Sequence, residues 1–236
     1  MAISETFNCD CMEYMKTIPD KFFDLGVVDP PYGINADNFN NGTGKKTGGK
    51  GDSTAVKLKK GKLNQGAGKL KDRLLNKSDC GWDFSPPSKE YFDELFRVCE
   101  NCIIWGGNYF DLPPTRGIIV WDKVQPWENF SQVEMAWTSF NKPAALFQYC
   151  NAGGVNREEK IHPTQKPIAL YTWIYKKYSK VGDKIFDSHM GSQSSRIAAY
   201  KAGLDYYGCE IDETYFKLGE ERFQKYAAQT NLFLDF

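Results

Sequence analysis

Residues 184–212 read KIFDSHMGSQSSRIAAYKAGLDYYGCEID. A short apolar strand at 184–186 delivers an acid, Asp187. A turn holding Gly191 follows, then a helix over 194–202, then a second strand at 206–210 that ends on Glu210. In doubly wound α/β folds a turn of this kind lets backbone approach a cofactor, and an acid about twenty residues further on suits the ribose hydroxyls. The turn lacks the three glycines of a dinucleotide fingerprint. That argues against a pyrophosphate cofactor such as NAD or FAD and fits a nucleoside with a small polar tail. An ordinary strand–helix turn is the plain alternative.

Working outward, the pattern of strand and helix repeats. Strands are expected at 3–8, 22–28, 102–105, 117–121 and 133–140, and helices at 12–17, 87–99 (capped by Ser85 or Ser88), 167–179 and 212–229. The alternation predicts one α/β domain over 1–236, with a mostly parallel sheet covered on both faces. The strand at 22–28 stops at Asp29-Pro30-Pro31-Tyr32, because paired prolines cannot continue a central strand. An acid and an aromatic therefore stand at a strand end, where they suit a planar base with an exocyclic amine: carboxylate and carbonyl accept the amine hydrogens while the ring stacks.

Composition narrows the classes. Of 236 residues, 41% are hydrophobic and 15% aromatic, enough for a substantial core. Lysine plus arginine and aspartate plus glutamate each number 30, so net charge gives no sign of a globally basic nucleic-acid binder. The balance is uneven along the chain. Residues 36–77 hold eleven basic residues and three acids, a net +8, which leaves −8 for the rest. This Gly/Lys-rich insert is expected to be a flexible arm, with Lys45, Lys46, Lys50, Lys57, Lys59, Lys60 and Lys62 meeting nucleic-acid phosphates. A solvated loop is the bland alternative. No signal peptide or apolar span is evident, and seven scattered cysteines suit reduced thiols, so a soluble cytoplasmic protein is expected. Cys99-x-x-Cys102 and Cys9-x-Cys11 are poor metal pairs, so no metal is expected. The two histidines, His162 and His189, support no catalytic triad, and Trp82 and Trp127 are candidates for base contact.

Asp-Pro-Pro-Tyr at 29–32, His162-Pro163-Thr164-Gln165-Lys166-Pro167, the Asp187–Ser192 turn and the Gly208–Asp212 strand end occur in that order. Taken together, the chain resembles the β-class S-adenosylmethionine-dependent DNA amino-methyltransferases, whose catalytic half precedes the cofactor half. The resemblance implies a Rossmann-like, circularly permuted fold with a seven-stranded sheet. It implies catalytic roles for Asp29, Pro30, Pro31 and Tyr32. Asp187, His189, Gly191 and Ser192 would form the cofactor turn, and Glu210 would bind ribose. Asp10 and Cys11 would lie beside the cofactor's adenine, and Thr164 and Lys166 near its methionine end. Residues 101–108 and 131–140 would line the target pocket. Ser188, His189 and Gln193 replace the usual proline, phenylalanine and final glycine of the turn; His189 would still cover the cofactor, and Gln193 is expected to need only a helix-start backbone.

The implied activity is transfer of methyl from S-adenosylmethionine to N6 of a flipped-out adenine in DNA. Cytosine N4, an RNA amine and a non-catalytic DNA-binding partner subunit are the alternatives. A homodimer and a cognate restriction endonuclease are compatible with a chain of this size. About 20 residues, 141–160, occupy the usual target-recognition position, so recognition is expected to fall partly on the basic insert. Deleting 41–71 should then weaken DNA binding and flatten its dependence on salt, read by titration across salt concentrations.

Overall fold

The computed structural model describes residues 2–33, 85–125, 131–150, 158 and 160–232. The basic insert, Trp82 and Trp127 lie outside the described residues. Chain order is β1 (Ser4–Phe7), α1 (Cys11–Lys16), β2 (Phe23–Val28), α2 (Lys89–Val98), β3 (Cys99–Trp105), a 3-10 turn (Gly107–Tyr109), β4 (Ile118–Asp122), β5 (Val133–Thr138), β6 (Ala145–Gln148), α3 (Ile168–Tyr178), β7 (Lys184–Asp187), α4 (Ser194–Ala202), β8 (Asp205–Cys209) and α5 (Glu213–Leu232). Among these residues no helix is long and apolar enough to cross a membrane.

The strands form one sheet in the order β1-β8-β7-β2-β3-β5-β4-β6. Pairing is parallel from β1 through β3, antiparallel on both sides of β5, and parallel again between β4 and β6. The sheet is mostly parallel, as expected, but has eight strands where the resemblance implied seven. The additional strand is β6, a four-residue edge whose Leu146 faces solvent.

Strand alternation sorts side chains between two faces, except at the start of β2, where Phe23 joins the face opposite Leu25 and Val27. Leu25 and Val27 of β2, Ile103 and Trp105 of β3, and Ile185 of β7 join Leu170, Ile174 and Tyr175 of α3 and Ala198 of α4. Phe23 and Val28, Cys102 and Ile104, and Phe186 meet Met15 of α1 and Tyr91, Leu95 and Val98 of α2 on the other face. Phe23 and Phe186 stack there with centroids 4.7 Å apart.

The turn after β7 departs from expectation. Gln193, the residue before α4, is left-handed at φ 58°, a conformation that strains a side-chain-bearing residue by about 1–2 kcal/mol, where an ordinary helix start had been expected. Its buried amide offsets the strain. Oε1 accepts from Arg196 Nη1 at 2.8 Å, and Nε2 donates to Glu220 Oε1 at 3.2 Å. The side chain lies against Gly219 of α5, where an added Cβ would stand 2.7 Å from Gln193 Cγ. Gly219→Ala, which in an open helix stabilises by about 1 kcal/mol, should here lower the urea midpoint. Combining it with Gln193→Ala should remove the clash.

Candidate active site

Parallel register brings the candidate acids to one edge. Asp187 closes β7 opposite Gly208, Glu210 follows β8, Asp10 lies just beyond β1, and Asp29 follows β2. Since β1, β8, β7 and β2 are consecutive in the sheet, all four acids stand at the carboxyl ends of neighbouring strands. That edge is where ligands sit in open α/β sheets.

On the β1–β7 side, Asp187 is buried. Its Oδ1 accepts from the His189 amide at 3.1 Å, and its Oδ2 accepts from the hydroxyls of Ser195 and Tyr206. Burial pushes its pKa up to about 7 against the pull of those donors, with Asp29 adding to the rise. Glu210 Oε2 accepts from the Gly191 amide at 2.8 Å, and Oε1 from the Asp212 amide at 2.9 Å, so Glu210 ties the two turns together. Burial raises its pKa as well. Gly191 itself is left-handed at φ 48°. Asp10 caps α1, accepting from the Met12 amide at 2.8 Å, and leaves a carboxylate oxygen at the surface next to buried Cys11.

The altered turn residues form their own network. Tyr91 Oη and Ser188 Oγ are 2.6 Å apart, and Ser188 Oγ lies 2.8 Å from His189 Nδ1. Tyr91 meets the His189 ring edge-on at 5.6 Å. Burial lowers the His189 pKa to about 4, which keeps the ring neutral. Ser192 presents its carbonyl to Arg222 Nη1 at 2.6 Å, and Arg222 reaches Glu158 at 3.2 Å. Glu158 in turn accepts from the Ile168 amide at 3.0 Å and so caps α3.

At the end of β2 the tyrosine and the acid meet directly. Tyr32 Oη donates to Asp29 Oδ1 at 2.7 Å, and Lys166 Nζ contacts Asp29 Oδ2. The Tyr32 ring stacks on half-exposed Tyr109 at 4.9 Å and 12°. Gly106, left-handed at φ 70°, has to be glycine: a Cβ there would fall 2.2 Å from Tyr32 Cε1. Lys166 extends from the segment before α3. Its side chain is 3% exposed and lies 3.3 Å from Glu134 Oε2, with its ammonium over Trp105 at 5.3 Å and Tyr32 at 5.8 Å. Burial alone would lower its pKa, but Asp29 and Glu134 hold it above the ordinary value. Thr164 instead turns its hydroxyl to His162 Nδ1 at 3.1 Å.

Residues 120–221 match the N6/N4 methyltransferase family, described as DNA methylase. Among curated proteins, the chain is 24% identical over 266 aligned residues to the type II methyltransferase M.HinfI of Haemophilus influenzae, covering 94% of this chain and 68% of that protein. It is 29% identical over 80 residues to M.HpaI of Haemophilus parainfluenzae, which spans 34% of this chain and 26% of that protein. Two solved structures share the fold at a TM-score of 0.55. One is the M1.HpyAVI–SAM complex, with 18% identity over 92% of this chain and 98% of the other. The second is the PvuII DNA methyltransferase, cytosine-N4-specific, with 13% identity over 99% and 94%. The sheet and its helices are those of DNA methyltransferases.

The sequence-derived residues thus fall into two groups on one edge. Asp10, Cys11, Asp187, His189, Gly191, Ser192 and Glu210 lie around β1, β8 and β7, while Asp29, Pro30, Pro31 and Tyr32 follow β2. Lys166 sits with the second group, on Asp29. Sequence reading placed Glu134 only within the 131–140 pocket segment, with no role of its own, and passed over Lys123 and Tyr109. An acid inside the otherwise apolar Val133–Thr138 strand was the available signal for Glu134.

Asp187 gives a stability test with a definite sign. Between about pH 4 and about pH 7 the folded state holds a proton on Asp187 that the unfolded state has released, so this group's contribution is full below the window and fades as pH rises through it. His162 and His189, lowered by burial to about 3 and about 4, act in the opposite direction across most of the same window, so the test rests on the difference between wild type and a variant that keeps both histidines. Wild type compared with Asp187→Asn by thermal unfolding should therefore show wild type losing ground to the variant from pH 4 to pH 7. Parallel curves would contradict a buried protonated Asp187.

Proposed function

We propose that this protein is an S-adenosylmethionine-dependent DNA amino-methyltransferase that acts on adenine N6. The observation that carries the reading is one sheet edge with a nucleoside-type acid set at β1, β8 and β7 and an acid–aromatic pair beside it at β2. The matched family and the relatives named DNA or type II methyltransferases support it, and they support a restriction–modification setting.

The residues fit the cofactor. Glu210 spends one lone pair of each oxygen on a backbone amide and keeps others for ribose hydroxyls. Asp187 is a buried acid held near neutrality, which a cationic amine would draw into its charged form. Gly191 lets backbone pass close, His189 offers a neutral ring face, and Asp10 offers a free oxygen for an adenine amine. When bound, S-adenosylmethionine supplies an electrophilic methyl group on its sulfonium.

The chain supplies alignment. Asp29 and the Pro30 carbonyl accept the two hydrogens of the target amine. Oriented in that way, the amine directs its lone pair out of the ring plane and toward the methyl. The base, which must leave the duplex to reach the site, would stack on Tyr32 in place of half-exposed Tyr109; stacking returns about 1–3 kcal/mol of the flipping cost. Asp29 or solvent would take the surplus proton of the methylated amine.

Aspartate at position 29 favours adenine, and the fold shared with the PvuII cytosine-N4 enzyme keeps cytosine as the second reading. The test is transfer from methyl-labelled S-adenosylmethionine to unmethylated duplex DNA, followed by digestion to nucleosides, for wild type and Asp29→Ala. The expected result is label in N6-methyladenine that drops at least about 100-fold in the variant. Label in N4-methylcytosine would overturn the base, and label in RNA alone would overturn the substrate.

A further inference from the structure

The cluster at the end of β2 contains more charge than the proposed transfer uses. Two ammoniums and two carboxylates alternate in a chain: Lys123 Nζ lies 2.5 Å from Glu134 Oε1, Glu134 Oε2 lies 3.3 Å from Lys166 Nζ, and Lys166 contacts Asp29. The antiparallel β5 makes this possible. Its start, at Glu134, pairs with the end of β4 at Trp121, so both reach the edge where β2 delivers Asp29. Glu134 keeps its carboxylate charged: burial pushes its pKa up, but Lys166 and Lys123 more than reverse this.

Asp29 is already engaged on both oxygens, by Tyr32 Oη and by Lys166. Each oxygen keeps a second lone pair, but a target amine that donates to Oδ2 shares that oxygen with the Lys166 ammonium and competes with it for the same charge. A buried ammonium cannot simply let go, because leaving it unpaired is strongly unfavourable. Glu134 stands on the far side of Lys166 and is anchored from behind by Lys123. We propose that Glu134 is a positioning residue: it receives the Lys166 ammonium as the target amine enters and so frees Asp29 to orient that amine. The four charged groups sum to zero, so a neutral base arrives without leaving net charge buried. This inference rests on the methyltransferase reading and deepens it.

The test compares wild type, Glu134→Gln, Glu134→Asp, Lys166→Met and the Glu134→Gln/Lys166→Met double variant in single-turnover methyl transfer to duplex DNA. Cofactor affinity and unfolding midpoint are measured alongside. Glu134→Gln keeps the shape and removes the charge, and should lower the transfer rate on the order of 10- to 100-fold with cofactor affinity unchanged. Glu134→Asp should recover part of the rate. In the Lys166→Met background, with no ammonium to receive, the Glu134→Gln penalty should disappear, a coupling that a purely structural role would not produce. Should Glu134→Gln fail to fold, Lys123→Met loosens Glu134 from behind and should give a smaller loss in the same direction. A Glu134→Gln enzyme at the wild-type rate, or an equal penalty in both backgrounds, overturns the positioning role alone. Wild type that transfers no methyl to DNA overturns the underlying reading with it.

Discussion

Parallel pairing of β1, β8, β7 and β2 is the constraint on which the site depends. Each strand ends on or just before an acid, and because all four run the same way, the acids arrive at one edge instead of alternating between opposite ends of the sheet. Four carboxyl groups so close together would repel one another if all were charged and solvent-free. The structure meets this in different ways. Asp187 is held near neutrality by burial, Glu210 is wrapped by backbone amides, Asp10 reaches solvent, and Asp29 meets an ammonium.

The antiparallel half of the sheet supplies the cation chemistry. Reversing direction at β5 brings Glu134 back to the edge reached by the end of β3, and β4 brings Lys123 beside it. Lys166 comes from the segment before α3, which also reaches the Asp187–Ser192 turn through Glu158 and Arg222. One segment therefore touches both halves of the edge.

Much of this was legible in the sequence, for physical reasons. Strand ends announced themselves through Asp29-Pro30-Pro31 and through the Asp187 turn, because proline and a tight turn interrupt apolar runs visibly. Helices α2 to α5 followed from spacing alone. Ser88 sits at the α2 N-cap as expected, although its side chain makes no cap bond. What escaped was set by contacts between distant segments. Nothing local marks β6, a four-residue edge strand. Lys166 was assigned to the cofactor by its motif, and only the fold brings it to an acid 137 positions away. Gln193 was expected to be a tolerant replacement for glycine, yet its backbone keeps the glycine conformation.

That last feature has a consequence for substitution at either position. Gln193 and Gly219 are complementary in size, one filling the space the other leaves, with Arg196 and Glu220 holding the amide in place. A glycine at 193 would relax the backbone but take one acceptor from Arg196, which keeps Glu220 and Ser4, and would open a hollow under the helix; enlarging 219 first would meet the amide. Neither single step is smooth in isolation. The two positions are therefore coupled: the effect of a substitution at one depends on which side chain stands at the other.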